Sequence, residues 1–345
     1  MATCLCARRA GGRNLAWDRG SDQTMFVLCI ESSHARGMGH LFRSLTLATE
    51  LRSRGHSVRF LANDHPNSLR IIRERGFEVA LYDLAAVTGW EEAFVDPAGP
   101  SPIWINDRLN TRRSHGETIK GLGAKLVTFD DRGDGAELAD VNICALLFEK
   151  TEDLRGKDVR LGVEYMILNP EIERYRRVRQ GLASILVTLG GADTYGVTVR
   201  VAKWLSSKPF PVTIVTGPSF QHMAELEEVV STAPPDRFKL LNQVPSLAAE
   251  MYRHDLAITG GGVTPFEACA AGLPCVVIAN EPFEIPVGRA LEQLGAAFFA
   301  GHHPEFDLGI LEKAIPIRRM SETAMTKVDL GGVGRVADLL ESLAA

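Results

Sequence analysis

Two glycine-rich turns, each set between an apolar strand-like run and a helix-like stretch, lie in opposite halves of the 345-residue chain. The first, Gly37-Met38-Gly39-His40, follows the run from Met25 to Ile30 and opens a helical stretch from Leu41 to Arg54. The second, Gly260-Gly261-Gly262-Val263-Thr264-Pro265-Phe266-Glu267, follows Leu256-Ala257-Ile258 and opens a helix toward Ala271. Glycine in such a turn lets backbone N–H groups approach a ligand, and the helix start behind it favours negative charge. Repeating the device commits the chain to two strand–helix units, each with its own ligand edge. The companions differ in chemistry: His40 and Arg43 beside the first turn, Thr264 and Glu267 beside the second. One edge offers a base, the other a phosphate seat with a carboxylate. That division suits an enzyme that holds a nucleotide diphosphate and acts on the group attached to it.

The rest of the chain alternates in the same way, which is the mark of parallel sheets covered on both faces. Strands are expected at Phe26–Ile30, Val58–Ala62, Phe77–Leu81, Ile103–Ile105 and Lys125–Phe129, with helices at Leu41–Arg54, Asn67–Arg75 and Arg112–Leu122. A second series runs Ser184–Leu189, Val212–Thr216, Phe238–Leu241, Leu256–Ile258, Cys275–Ile278 and Ala296–Phe299. The Arg- and Glu-dense stretch between them divides the chain into a Rossmann-like unit over 25–153, a linker over 154–181, and a second Rossmann-like unit over 182–345 whose final helix is free to pack back on the first. Residues 1–24 lack either period and read as a disordered extension, with a start at Met25 the alternative. The Gly- and Pro-rich segment Leu84–Pro102 reads as a long loop at the carboxyl edge, either a substrate lid or a surface excursion. In doubly wound units ligands settle outside the carboxyl ends of the strands, so two facing units place a site between them.

A net charge of −5 leaves no basic footprint for nucleic acid, and a small-molecule substrate fits better. Cys29, Cys144, Cys269 and Cys275 sit inside apolar patterns, which points to a reducing, cytoplasmic setting and no metal cluster. No apolar run approaches the ~20 residues of a membrane span. The Gly37-Met38-Gly39 turn has Phe42 where a dinucleotide fingerprint places its third glycine, and no Gly-Lys-Ser or Gly-Lys-Thr marks a triphosphate loop. His302-His303 reads as a solvated pair. Asp130-Asp131 and Asp134 read as an acidic turn or as magnesium ligands.

Several blocks together carry a resemblance. Gly37 to Arg43, Leu189-Gly190-Gly191-Ala192-Asp193, Thr259 to Pro274, Asp107, Phe129-Asp130-Asp131, Asn280 and Asp329 to Val336 resemble the pseudaminic-acid pathway UDP-sugar hydrolases and the predicted spore-coat polysaccharide glycosyltransferases. More distantly, they resemble the GT-B enzyme that adds N-acetylglucosamine to the lipid-linked peptidoglycan precursor. The resemblance spans nearly everything after Met25 and implies a GT-B fold.

It implies that His40 is the base, as an imidazole can be near neutral pH, with Asp107 and Asn280 in the catalytic set. Glu267 would hold the ribose hydroxyls, although Thr264-Pro265-Phe266-Glu267 also spells a helix-capping box. Gly37, Gly39, Arg43, Gly190, Gly191, Gly261, Gly262 and Thr264 complete the substrate-binding set, the glycines bringing N–H donors to the diphosphate; surface pairing is the alternative for Arg43. Two departures stand out. The hydrolase has a Tyr two residues after its Asp, where this chain has Leu109, and Asn280 is followed by Glu281 rather than Gln.

The expected activity is cleavage of the anomeric C–O bond of a UDP-sugar to UDP and a free amino or deoxy sugar, feeding surface polysaccharide or nonulosonic acid synthesis. Glycosyl transfer to a saccharide or lipid-linked acceptor is the first alternative, and nucleotide-sugar binding without turnover the second. No cofactor, metal, nucleic acid or membrane insertion enters the scheme.

Overall fold

The structure is a computed structural model that describes residues 24–31, 39–83, 90–95, 101–146, 151, 153–190, 193–217 and 219–344. The first unit comprises β1 (Met25–Ile30), α1 (Gly39–Ser53), β2 (Ser57–Ala62), α2 (Pro66–Glu74), β3 (Glu78–Leu81), β4 (Ile103–Asp107), α3 (Arg113–Gly121), β5 (Lys125–Phe129), β6 (Val141–Cys144) and β7 (Asp158–Leu161). Its strands form one parallel seven-stranded sheet in the order β3-β2-β1-β4-β5-β6-β7. Five of the six residues of β1, and all of β4, are buried, so β1 and the Ile103–Ile105 stretch of β4 read as apolar runs rather than alternating ones. Leu41, Leu45, Leu47, Ala48 and Leu51 line the buried stripe of α1. Gly55, at φ +91°, turns the chain out of that helix into β2.

The second unit follows with β8 (Ile185–Thr188), α4 (Val197–Leu205), β9 (Val212–Thr216), α5 (Met223–Thr232), β10 (Phe238–Asn242), α6 (Leu247–Tyr252), β11 (Leu256–Thr259), α7 (Thr264–Ala270), β12 (Cys275–Ala279), α8 (Ile285–Gln293), β13 (Ala297–His302), β14 (Glu305–Phe306), α9 (Ile317–Lys327) and α10 (Gly332–Ala344). Its sheet repeats the topology of the first, in the order β10-β9-β8-β11-β12-β13-β14, parallel except for the β13–β14 hairpin. The last helix returns to the first unit: Val336, Ala337 and Leu340 of α10 share a core with β1 and α1. Arg54 binds Asp338 at 2.6 Å and Glu341 at 2.8 Å across that contact.

The sequence reading misses β6, β7 and β14. β7 lies inside the stretch read as a linker, so the first sheet continues to Leu161. Its half-exposed Asp-Val-Arg-Leu carries neither an apolar run nor a clean alternation, because it is an edge strand. In both sheets the chain order reverses at the centre, between β1 and β4 and between β8 and β11. At such a switch the flanking connections depart to opposite faces and leave a crevice at the carboxyl ends.

Candidate functional site

At the first switch, the first turn of α1 meets the end of β4. Asp107, the last residue of β4, is 1% exposed and accepts from His40 Nδ1 at 2.5 Å. Arg43, one helical turn after His40, donates to both oxygens of the same carboxylate, Nη2 to Oδ1 at 2.5 Å and Nε to Oδ2 at 3.0 Å. Ser44 Oγ adds a fourth donor at 3.1 Å. The remaining arm of the guanidinium, Nη1, reaches Asp130 Oδ2 at 2.6 Å, and the guanidinium carbon lies 4.8 Å from the centroid of the Phe129 ring.

Burial alone would push the Asp107 carboxyl up, but Arg43 and His40 outweigh it and hold the group well below the usual carboxylate range. Burial likewise works against the Arg43 cation, and Asp107 with Asp130 reverses that, so its pKa rises. An ionised Asp107 only accepts, so His40 Nδ1 carries the proton and Nε2 is left basic. The contact of 3.3 Å between Arg43 Nη2 and His40 Nδ1 then joins two donors and is not a hydrogen bond. Two carboxylates against one guanidinium leave one negative charge to offset an imidazolium formed when Nε2 takes a proton.

The surface-pairing alternative for Arg43 gives way to a buried fork linking the ends of β4 and β5. Asp130 is the member of this cluster that sequence reasoning left as a turn or a magnesium ligand. Its signal was positional, since it follows β5 as Asp107 ends β4. Asp131 is engaged by the Thr111 N–H at 3.0 Å and the Gly133 N–H at 2.8 Å, and Asp134 by the Arg113 N–H at 2.8 Å. Among the described residues no group of three or more His, Cys, Asp or Glu is placed to hold a metal ion.

At the second switch, Gly190 follows β8 at φ +93° with open space where a Cβ would lie. Gly39 is similarly open, whereas Gly37 and Gly191 lie outside the described residues. Gly260 lacks a Cβ because Asn280 Nδ2 sits 3.2 Å from that position. That amide crosses from the end of β12 to donate to the Leu189 carbonyl at 3.2 Å, and its Oδ1 is buried without a partner. Asn280 therefore presents an acceptor, although sequence reasoning expected the amide N–H. Gly261 already donates its N–H to Glu284 at 3.2 Å. Glu281 accepts the Tyr195 hydroxyl at 3.0 Å, and the Tyr195 ring stacks on His303 at 3.8 Å.

The capping box does not form. α7 starts at Thr264 behind Val263, which makes no side-chain cap, and neither Thr264 nor Glu267 has a side-chain hydrogen bond among the described residues. Burial pushes the Glu267 carboxyl up to about 7.

The backbone marks the same edges. Leu109 (φ 66°), Asp130 (50°), Asp193 (42°) and Gln243 (59°) adopt left-handed conformations just past β4, β5, β8 and β10. Strain of this kind gathers at ligand sites. Much of the Leu84–Pro102 loop lies outside the described residues; within it Glu91 is buried and meets His115 Nδ1 at 2.7 Å.

Two doubly wound sheets with ligand edges at their switch points make this a GT-B fold. The crystal structure of MurG from Acinetobacter baumannii matches it with a TM-score of 0.66 at 17% identity, over 92% of this chain and 99% of that one. A putative UDP-N-acetylglucosamine 2-epimerase from Listeria monocytogenes matches with a TM-score of 0.58 at 13% identity, over 93% and 96%. By sequence, the chain is similar to the uncharacterized protein MJ1062 of Methanocaldococcus jannaschii, 27% identical over 73% of this chain and 55% of that protein. It is also similar to the spore coat polysaccharide biosynthesis protein SpsG of Bacillus subtilis, 22% identical over 91% and 96%. The chain thus spans about half the length of the first of these relatives and nearly all of the second. No protein-family profile matches the chain. Among the described residues no helix is long and apolar enough to cross a membrane.

Proposed function

We propose that the chain is an enzyme that cleaves the anomeric C–O bond of a nucleotide sugar, UDP being the expected nucleotide and water the expected nucleophile. The observation that carries this reading is the oriented His40–Asp107 pair at the first switch point, with Nε2 left basic. In the reaction His40 Nε2 takes a proton from the attacking water as its oxygen bonds to the anomeric carbon. The bond from that carbon to the distal phosphate oxygen breaks, and the electron pair leaves with the diphosphate. Asp107 and Asp130 offset the imidazolium, and backbone N–H groups of the second unit stabilise the departing charge. Glu267, half-buried and without a side-chain partner among the described residues, suits the ribose hydroxyls.

Transfer to a saccharide acceptor uses the same machinery. It draws support from the polysaccharide role in SpsG's name, and from Leu109, which lacks the hydroxyl that the resembling hydrolases carry. The two readings separate when UDP-sugars are incubated in ¹⁸O-water with and without acceptors. Hydrolysis releases UDP without acceptor and labels the free sugar at its anomeric oxygen. Acceptor-dependent UDP release with no labelled sugar makes the chain a transferase, and no UDP release with any donor removes both.

A further inference from the structure

Two backbone donors at the ends of neighbouring strands converge on one carboxylate oxygen. Glu284 Oε2 accepts from the N–H of Asn280, the residue after β12, at 2.7 Å and from that of Gly261, in the turn after β11, at 3.2 Å. Glu284 closes the 3-10 turn Pro282–Glu284, and its backbone is packed hard against that glycine. A Cβ on Gly261 would meet Glu284 Cβ at 2.6 Å and its carbonyl oxygen at 2.9 Å. The main chain is therefore fixed there, while the carboxylate reaches the two donors through its own rotatable bonds. It is held by backbone N–H groups without an ion pair among the described residues. The side-chain Oδ1 of the same Asn280 is buried and has no hydrogen-bond partner among the described residues. Two N–H groups on one anionic oxygen is also how a backbone seats a phosphoryl oxygen.

We propose that Glu284 is a resident anion in the diphosphate seat. It holds the Gly261 and Asn280 donors until a phosphoryl group of the nucleotide takes them and the carboxylate rotates away. This rests on the reading of the second unit as a nucleotide-diphosphate site. It makes phosphate recognition a competition between two anions, in which a nucleoside without phosphate takes no part.

The test is to titrate the natural chain and Glu284→Gln with UDP and with uridine. Glutamine keeps an oxygen for both donors but removes the charge, and charge-assisted bonds are about twice as strong as neutral ones. UDP should bind the variant about tenfold more tightly, and uridine within about twofold of the natural chain. Unchanged or weaker UDP binding by a folded variant overturns the proposal. A measurement on the natural chain does not depend on the variant folding: the Gly261 and Asn280 amide resonances should move on adding UDP and stay in place with uridine. If UDP binds and those amides do not move, Glu284 is no competitor and the nucleotide reading survives. If neither ligand binds, that reading falls and takes this one with it.

Discussion

Replacing Glu267 by Gln should raise stability and weaken nucleotide binding together. In the folded chain burial lifts the Glu267 carboxyl from 4.5 to about 7. Between those values the native state binds more protons than the unfolded one, so this group's contribution to stability falls as pH rises through the window and levels off above it. At 1.36 kcal/mol per pH unit, that displacement caps the penalty at about 3 kcal/mol at pH 8 and removes it below pH 4.5. Glutamine does not titrate. The variant should therefore melt several degrees higher than the natural chain at pH 8, with the gap closing toward pH 4.5. UDP affinity should fall by about fivefold, because a charge-assisted bond to ribose becomes neutral, a loss on the order of 1 kcal/mol. Calorimetric melting across pH 4.5 to 8 and UDP titration at pH 8 measure the two effects separately. A stability difference that does not vary with pH refutes the burial argument. Unchanged UDP affinity refutes the ribose assignment.

His40→Ala should abolish UDP release while leaving UDP affinity within about threefold, since the proposed base and the proposed nucleotide seat belong to different units; near-normal turnover would remove His40 as the base. Asp107→Asn leaves Arg43 facing a neutral amide and frees His40 to rotate, so turnover should collapse and stability drop by about 3–5 kcal/mol, as for other broken buried pairs. In the natural chain the depressed Asp107 carboxyl contributes stability that is present above the ordinary carboxylate pKa and lost as pH falls through its folded value. Denaturation from pH 7 down to 2 should therefore be shallower for the Asn variant, and parallel curves would show that Asp107 is not the group responsible. Leu109→Tyr restores an aromatic hydroxyl two residues past Asp107. Because Leu109 already sits at φ 66°, the swap adds little backbone strain, and faster free-sugar release from UDP-sugars would support water positioning, whereas no change would discard it.

What was legible in the chain was local. Glycines at strand ends, the apolar stripe of α1 and the runs of the central strands depend on residues within a few positions of each other, and they located both switch points. His40 could be named from its turn, and Asp107 only through the resemblance. Their pairing, across a sequence separation of 67 residues, follows from β1 and β4 being neighbours in the sheet, which no local pattern states. Asp130 and Glu284 were missed for the same reason in stronger form. Each acts through a partner brought in by strand order, Arg43 from α1 and Gly261 from the turn after β11. The letters of Thr264–Glu267 also fit a cap, yet the helix begins at Thr264 itself and leaves Glu267 at the end of its first turn with no side-chain hydrogen bond among the described residues. A half-buried carboxyl with no partner is destabilising in isolation, as its raised pKa records, and a chain keeps such a group most readily where a ligand supplies the missing donors. The failure of the local motif is thus itself an argument that Glu267 faces a ligand, and the opposed effects of Glu267→Gln on stability and on affinity are its direct consequence.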